Sequence, residues 1–341
     1  MTAPKSTFQG FKSELYDAKM ASLSMDIATL LDKATKSMSA IKGVKTAMEN
    51  GYEVPNYVQF EAGEDSFWAS VKETVVTLLK KIREFFRMCM YKIRTFFMDE
   101  DVKDFDKYKY KLQAAMANGP CEEKINALKW KNPNTIVSDL ISDILIVQEI
   151  IDSIYENSIR IVHALMDSQS EWEGMCDTRN KLKDCLNSLV DHLFQQLNIE
   201  DARTHDKYEP WEIREFLNKK YFENGEKDRK EIKLKDFIMS YDLFESAYSK
   251  ESLKGIKRVC ELMESGSNEC QAIVDTLNRW STQGFQKVTQ EALNKVRDEI
   301  TWDIITVSKL AHTLGQEYWI LYFNLRNDLR LALRTYTKTS K

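Results

Sequence analysis

Two sets of basic side chains have a spacing that favours one kind of chemistry, the binding of anionic groups. The first set lies within residues 66–97, where seven basic and two acidic residues fall between positions 71 and 97 of a chain whose net charge is −4. Wound as a helix, the segment places these cations along the edge of an apolar arc roughly 140° wide. The candidate contacts to an anionic partner in this basic stripe are Lys72, Lys80, Arg83, Arg87 and Arg94.

The second set lies near the C-terminus and consists of Arg326, Arg330, Arg334 and Lys338, which are four residues apart. On a helix they form one ridge about 18 Å long. Two interpretations are open. Cations are favourable at a helix C-terminus because they complement the helix dipole, but this effect fades beyond the last turn. The alternative is a contact to phosphates or to an acidic partner helix.

The apolar arc beside the first stripe is a candidate docking face. Its members are Leu78, Ile82, Phe85, Phe86, Ile93 and Phe97. A face of this kind beside cations is typical of helices that lie on an anionic membrane and of helices that bind an acidic partner or nucleic acid. It is equally typical of a core helix whose Lys and Arg residues form its solvated side, and the negative net charge argues against a dedicated nucleic-acid binder.

Motifs for enzymatic or metal chemistry are missing from the sequence. It contains no phosphate-binding glycine loop and no G-x-S-x-G nucleophile motif. The four histidines match no zinc pattern, and the residues three before His163 and His192 are Arg160 and Leu189, whereas a ferritin-like site requires Glu. We therefore predict a non-enzymatic protein with no catalytic residues, metal ligands, cofactor or small-molecule ligand; an enzyme with a carboxylate site in its helices is the weaker alternative.

The composition indicates an all-α fold. Only 11 glycines and 5 prolines occur in 341 residues, well below their usual shares of roughly 7% and 5%. Turns must therefore be few, which favours long helices. The six cysteines show no C-x-x-C spacing and the opening residues lack the apolar core of a secretory signal, so we expect synthesis in a reducing cytoplasm. No run of about 20 apolar residues is present.

The chain divides into four predicted regions. Residues 1–51 form an N-terminal helical region, 52–65 a linker, and 66–119 the basic amphipathic helix and a following helix. Residues 134–341 form a bundle of long helices, with a second helix expected at 171–197 and a charged segment at 201–235 that projects as one short helix and a loop. A helix end is predicted at Glu264–Asn268, because Gly266 lies among serines there.

The layout of the first 97 residues resembles the internal head proteins of large tailed bacteriophages. The resemblance rests on Ala62-Gly63-Glu64, a small-x-Glu motif, followed by Asp65-Ser66-Phe67-Trp68 and the amphipathic helix. In that family an N-terminal propeptide directs the protein into the prohead, and the prohead protease cuts after such a glutamate. The resemblance implies that residues 1–64 are a propeptide with a processing site at Ala62, Gly63 and Glu64.

Together these observations predict a virion structural protein that is packaged in the capsid with DNA or delivered to the host. Its expected partners are other protein subunits, with nucleic acid or an anionic membrane surface as further candidates. The alternative is a cytoplasmic helical adaptor that docks on an anionic membrane or an acidic partner through residues 66–97.

Overall fold

The computed structural model describes residues 5–49, 64–118, 121–132, 135–167, 195, 210–237, 241–283 and 290–339. These residues are mostly helical, and strand is limited to one two-stranded sheet, which confirms the all-α prediction. The predicted linker up to residue 63 lies outside the described residues, as does the helix expected at 171–197 apart from position 195.

Long helices dominate the chain, as the scarcity of glycine and proline predicts. The helices are α1 (Lys5–Glu49), α2 (Glu64–Lys92), α3 (Val102–Ala117), α4 (Ile136–Asp167), α5 (Pro210–Tyr221), α6 (Leu234–Phe237), α7 (Tyr241–Ala247), α8 (Lys250–Gln283) and α9 (Gln290–Thr339). A π-helical segment, Ile93–Asp101, follows α2, and a 3₁₀ turn spans Glu223–Gly225. The strands are β1 (Lys124–Leu128) and β2 (Arg229–Lys233).

The chain forms two compact units. The first unit comprises Met1–Met88, Ile154–Asp184 and Met263–Leu310. The second unit comprises Cys89–Ser153, Cys185–Leu262 and Ala311–Lys341.

In the first unit, α1 and α2 run antiparallel. Lys19 Nζ lies 3.2 Å from Glu84 and Lys81 Nζ lies 3.1 Å from Asp26, so the order of the pairs reverses along the two helices. The helical periodicity of α1 is confirmed by its buried side chains, which are Met20, Leu23, Ile27, Leu31, Ala34 and Met38. These exposed ion pairs add little stability, and the apolar stripe supplies most of it.

In the second unit, β1 pairs antiparallel with β2, and Ile125 lies opposite Ile232. The carboxylate of Asp328 on α9 fixes this sheet. It accepts hydrogen bonds from Leu128 N at 3.1 Å and Trp130 Nε1 at 3.0 Å, and Arg229 Nη1 lies 2.7 Å away. Burial raises the pKa of Asp328 although Arg229 and the hydrogen bonds oppose the shift. Each oxygen therefore has a partner, which offsets the cost of burying a carboxylate.

The expectation that 201–235 projects as a helix and a loop is corrected by the described part of that segment. α5 buries Ile213, Leu217 and Tyr221, and the segment ends in β2, which pairs with β1. Neither strand was expected, because each has only five residues and its partner lies about one hundred positions away in the sequence. Residues 201–209 lie outside the described residues.

A second buried carboxylate, Asp143 on α4, binds α5 and α9 within the second unit. Lys220 Nζ lies 2.5 Å away, Tyr318 OH donates at 3.3 Å, and Tyr221 OH also donates to it. Burial and the neighbouring acidic groups raise the pKa of both tyrosines, so their hydroxyls stay protonated and remain donors. A buried carboxylate that accepts hydrogen bonds from two other helices specifies how the three helices align.

The helix end predicted at Glu264–Asn268 is wrong, because α8 continues through it to Gln283. Gly266 serves a different purpose in the first unit. A Cβ at this position would lie 2.4 Å from the ring of Tyr155 on α4, whose side chain is buried. The glycine allows the close approach of a tyrosine ring to the α8 backbone, and its helical neighbours keep α8 intact.

We expect Gly266→Ala to destabilise the protein by roughly 1–2 kcal/mol. Alanine is about 1 kcal/mol more favourable than glycine inside a helix, but overpacking against a buried ring costs about 1–3 kcal/mol. Urea denaturation measures the difference, with the exposed neighbour substitution Ser265→Ala as the matched control. An increase in stability for Gly266→Ala would show that the ring can move away.

Candidate anion-binding groove

The basic stripe of α2 is largely paired with α8 inside the first unit. Lys72 Nζ lies 3.7 Å from Asp275, and Arg87 Nε lies 2.5 Å from Glu264. Arg83 donates to Gln271 at 2.5 Å and also to Asn268. The sequence predicted an anionic partner for these cations. For Lys72 and Arg87 the partners are carboxylates of the same chain, and Arg83 is bonded to two side-chain amides instead.

Lys80 and Arg94 complete the stripe, and both are exposed. Within the part of the chain that the structure describes, neither forms an ion pair. They lie fourteen residues apart in the sequence.

The apolar docking face predicted on α2 and the π-helical segment is core, which corrects that expectation. Its six members are between 0 and 3% exposed: Leu78, Ile82, Phe85, Phe86, Ile93 and Phe97. Phe85 and Phe86 pack edge to face at 5.1 Å, and the Phe97 ring lies 6.0 Å from that of Trp319 in the second unit. These apolar side chains are therefore buried by other residues of the same chain and do not form a surface for a partner.

The sequence predicted that Arg326 of the C-terminal ridge contacts an external anion, and this prediction is wrong because the side chain is buried. It is 1% exposed. Its guanidinium donates to the carbonyl of Ala247 at 2.6 Å and to that of Phe97 at 3.2 Å, and lies 4.4 Å from the centroid of the Tyr248 ring. It therefore satisfies one carbonyl at the end of α7 and one in the π-helical segment.

The other three ridge residues line a groove in the second unit. Arg330, Arg334 and Lys338 of α9 face Lys111 of α3 across a cavity of about 720 Å³. Among the described side chains that line it, Asp104 is the one carboxylate. Lys111, Arg334 and Lys338 are exposed, and no ion pair holds them among the described residues. Four cations from two helices thus converge on one concave surface.

Tyrosines complete the groove. Tyr108, one turn before Lys111 on α3, lines it and is half-buried, with Lys107 Nζ 5.1 Å from its ring centroid. Tyr248 also lines it and is 4% exposed. Its ring stacks on Phe105 at 5.0 Å, with the Arg326 guanidinium also close to the ring. The groove therefore has a rigid aromatic floor and a basic rim.

Sequence reasoning missed the contribution of α3. The signal was present as Lys107-Tyr108-Lys109-Tyr110-Lys111, an alternation of cations and aromatic rings. The mixed charge around it obscured the pattern. Only the fold shows that Tyr108 and Lys111 face the C-terminal ridge, whereas Tyr110 is 73% exposed and is not part of the groove lining.

Three of the four cysteines in the described residues, Cys89, Cys260 and Cys270, are buried, and Cys121 is partly exposed. The Cys89 thiol contacts that of Cys260, and burial followed by this contact raises the pKa of Cys89. Burial lowers the pKa of His312 to about 4, so its imidazole is neutral at pH 7. The side chain of His163, all of His192 and His205, and the motif residues Ala62 and Gly63 lie outside the described residues; Glu64 is the first residue of α2.

Comparison with known proteins found no matching family model, no similar curated protein and no similar solved structure. In the described residues, no group of three or more His, Cys, Asp or Glu side chains is placed to hold a metal ion. No described helix combines the length and the apolar character needed to cross a bilayer. The resemblance to internal head proteins therefore stays a prediction.

We expect the ridge arginines to differ in their effect on stability. Arg326→Gln should lower the free energy of unfolding by about 2–3 kcal/mol, because it removes the charged hydrogen bonds to two buried carbonyls and the cation beside the Tyr248 ring. Arg334→Gln, on the same helix face but exposed, should leave the urea midpoint unchanged. Equal effects of the two substitutions would contradict the distinction between a buried support and an exposed ligand contact.

Proposed function

We propose that this chain is a non-enzymatic structural protein that binds a phosphate-bearing polymer in the groove of its second unit. One observation carries the proposal: Lys111, Arg330, Arg334 and Lys338 converge from two helices on a concave surface whose described lining has a single carboxylate. A cleft lined mainly by cations attracts anions, because the potentials of its charges add there.

The arrangement of the cations suits a polymer better than a single anion. Successive ridge residues on α9 are four positions apart, which corresponds to a rise of about 6 Å per step. One phosphate reaches one or two of them, whereas a chain of phosphates, which recur about every 3.4 Å along one stacked nucleic-acid strand, engages the whole row.

The resemblance of residues 1–97 to internal head proteins indicates the class of polymer. A protein that is packaged with DNA or delivered to the host meets nucleic acid as the abundant phosphate polymer, and we infer that the groove binds nucleic acid. A cut after Glu64 would fall at the start of α2 and detach α1. Because α1 buries six apolar side chains in the protein, cleavage would also uncover the surfaces that they contact.

The alternative function, docking on an anionic membrane through residues 66–97, has less support. It requires an exposed apolar face, and Phe85, Phe86 and Phe97 are at most 3% exposed. An enzyme with a carboxylate site is also less well supported, because the buried carboxylates Asp143 and Asp328 are bonded to structural partners.

We expect the triple substitution Lys111→Gln, Arg334→Gln and Lys338→Gln to weaken binding of the full chain to DNA roughly tenfold or more at 0.1 M salt. A fluorescein-labelled 30-nucleotide DNA, offered both as a single strand and as a duplex, serves as the probe in an anisotropy titration. Loss of three phosphate contacts should also reduce the slope of log K against log salt by roughly two to three.

The matched control removes three other exposed cations of the second unit, with Lys230→Gln, Lys254→Gln and Lys257→Gln. It changes the net charge by the same amount and should retain the wild-type slope. If both triple variants lose the same affinity, binding follows net charge and the groove is not the site. If the wild-type chain binds neither form of DNA, the proposed function is wrong.

The processing hypothesis has its own test. When the chain is expressed during phage assembly, mass measurement of the protein from purified capsids should give an N-terminus at Asp65, and Glu64→Ala should prevent this cut. The unprocessed mass in mature capsids would reject the predicted processing site, and absence from capsids would reject the virion assignment.

A further inference from the structure

We propose that the ligand of the groove is a single strand of nucleic acid, with one base stacked on Tyr108 and its phosphates on Lys111, Arg334 and Lys338. This inference rests on the proposed function and narrows the class of polymer. It follows from three features of the groove: its aromatic lining, its concavity and its length.

The first feature is the aromatic side chain among the cations. Proteins that bind single strands without sequence preference combine a basic groove for the backbone with aromatic rings on which bases stack. Tyr108 is half-buried and lies one helical turn from Lys111 on the same face of α3. A polymer of phosphates without bases has no aromatic group that could stack on this ring.

The second feature is the concavity. The cavity of about 720 Å³ lies between α3 and the C-terminal turns of α9, and its floor is the Tyr248 ring. Two contacts hold the Tyr248 ring in place: Phe105 stacks on it at 5.0 Å, and the Arg326 guanidinium lies 4.4 Å from its centroid. A few unpaired nucleotides fit a space of this size, which is usual for sites that enclose a ligand. The bases of a duplex are paired inside it and cannot reach Tyr108.

The third feature is the length of the basic row. Arg330 and Lys338 are eight residues apart, so the row extends about 12 Å along α9. At about 3.4 Å per stacked nucleotide this corresponds to roughly three to four nucleotides. The groove would therefore contact mainly the backbone and the one base that stacks on Tyr108, which gives little sequence preference.

The experiment compares the full chain with its Tyr108→Ala, Tyr108→Phe and Tyr110→Ala variants, using a labelled 12-nucleotide oligo(dT) and a 12-base-pair duplex. Wild-type protein should bind the single strand at least tenfold more tightly than the duplex. Tyr108→Ala should lose roughly five- to hundredfold affinity for oligo(dT), the usual effect of removing a stacking ring. Tyr108→Phe should stay within about twofold of wild type, because it keeps the ring.

Tyr110→Ala is the matched control, since Tyr110 is 73% exposed on the same helix and is not part of the groove lining. It should bind as wild type does. Equal binding of single strand and duplex, or an unchanged affinity in Tyr108→Ala, overturns this inference. In either case the loss of DNA binding in the Lys111, Arg334 and Lys338 triple variant would still support the proposed function, so the two failures are distinguishable. Circular dichroism melts confirm that each variant is folded.

Discussion

The buried guanidinium of Arg326 is the interaction on which the candidate site depends. It joins the carbonyl of Ala247 at the end of α7 to that of Phe97 in the π-helical segment. Each carbonyl also accepts from a local donor, Ser252 Oγ for Ala247 and Val102 N for Phe97, so the guanidinium adds a link between the two elements. The same cation lies against the Tyr248 ring, so it holds the floor of the groove in place. Without it, two elements of the second unit would lose their common anchor.

Within the second unit α9 is the element to which most buried polar groups are attached. Glu317 accepts from Arg214 of α5 at 2.8 Å, Tyr318 donates to Asp143 of α4, and Asp328 binds both strands. Each of these groups would be costly to bury alone, and each has partners that fit only one alignment of its helix. The apolar stripe of α9 provides stability, and these groups determine the register. The exposed cations at its end are thereby held in a fixed position relative to α3.

The sequence was sufficient to predict the all-α fold and the position of the long helices, because few turn residues and regular apolar spacing are local signals. It was insufficient for β1 and β2, whose pairing depends on a partner distant in the chain. Gly266 looked like a helix end because its role depends on Tyr155, more than one hundred residues earlier. The basic stripe of α2 was recognised from the sequence, but α8 was not recognised as the partner of three of its cations. The spacing of charged residues shows which face is basic and does not show which helix packs against it.

The C-terminal ridge also could not be interpreted from its spacing alone. Residues spaced by four turn 400° around a helix, so each step drifts by about 40° and three steps by about 120°. Arg326 and Lys338 therefore cannot share one environment, and the structure buries the first while the last is exposed. The sequence predicted one ridge, whereas the fold divides it into a buried support, Arg326, and three cations that line the groove. The contribution of α3 could be found only when both helices were placed.

A chain with a net charge of −4 is not an obvious partner for a polyanion. The charge that matters is local, because salt screens exposed charges over about 8 Å at physiological ionic strength. Two of the five cations of the α2 stripe, Lys72 and Arg87, are paired with carboxylates of α8 and contribute little to the field outside the protein. The described residues that line the groove include four cations and one carboxylate. Under the proposed function, overall repulsion would lower the rate of encounter, while the local cations would determine the affinity of the complex.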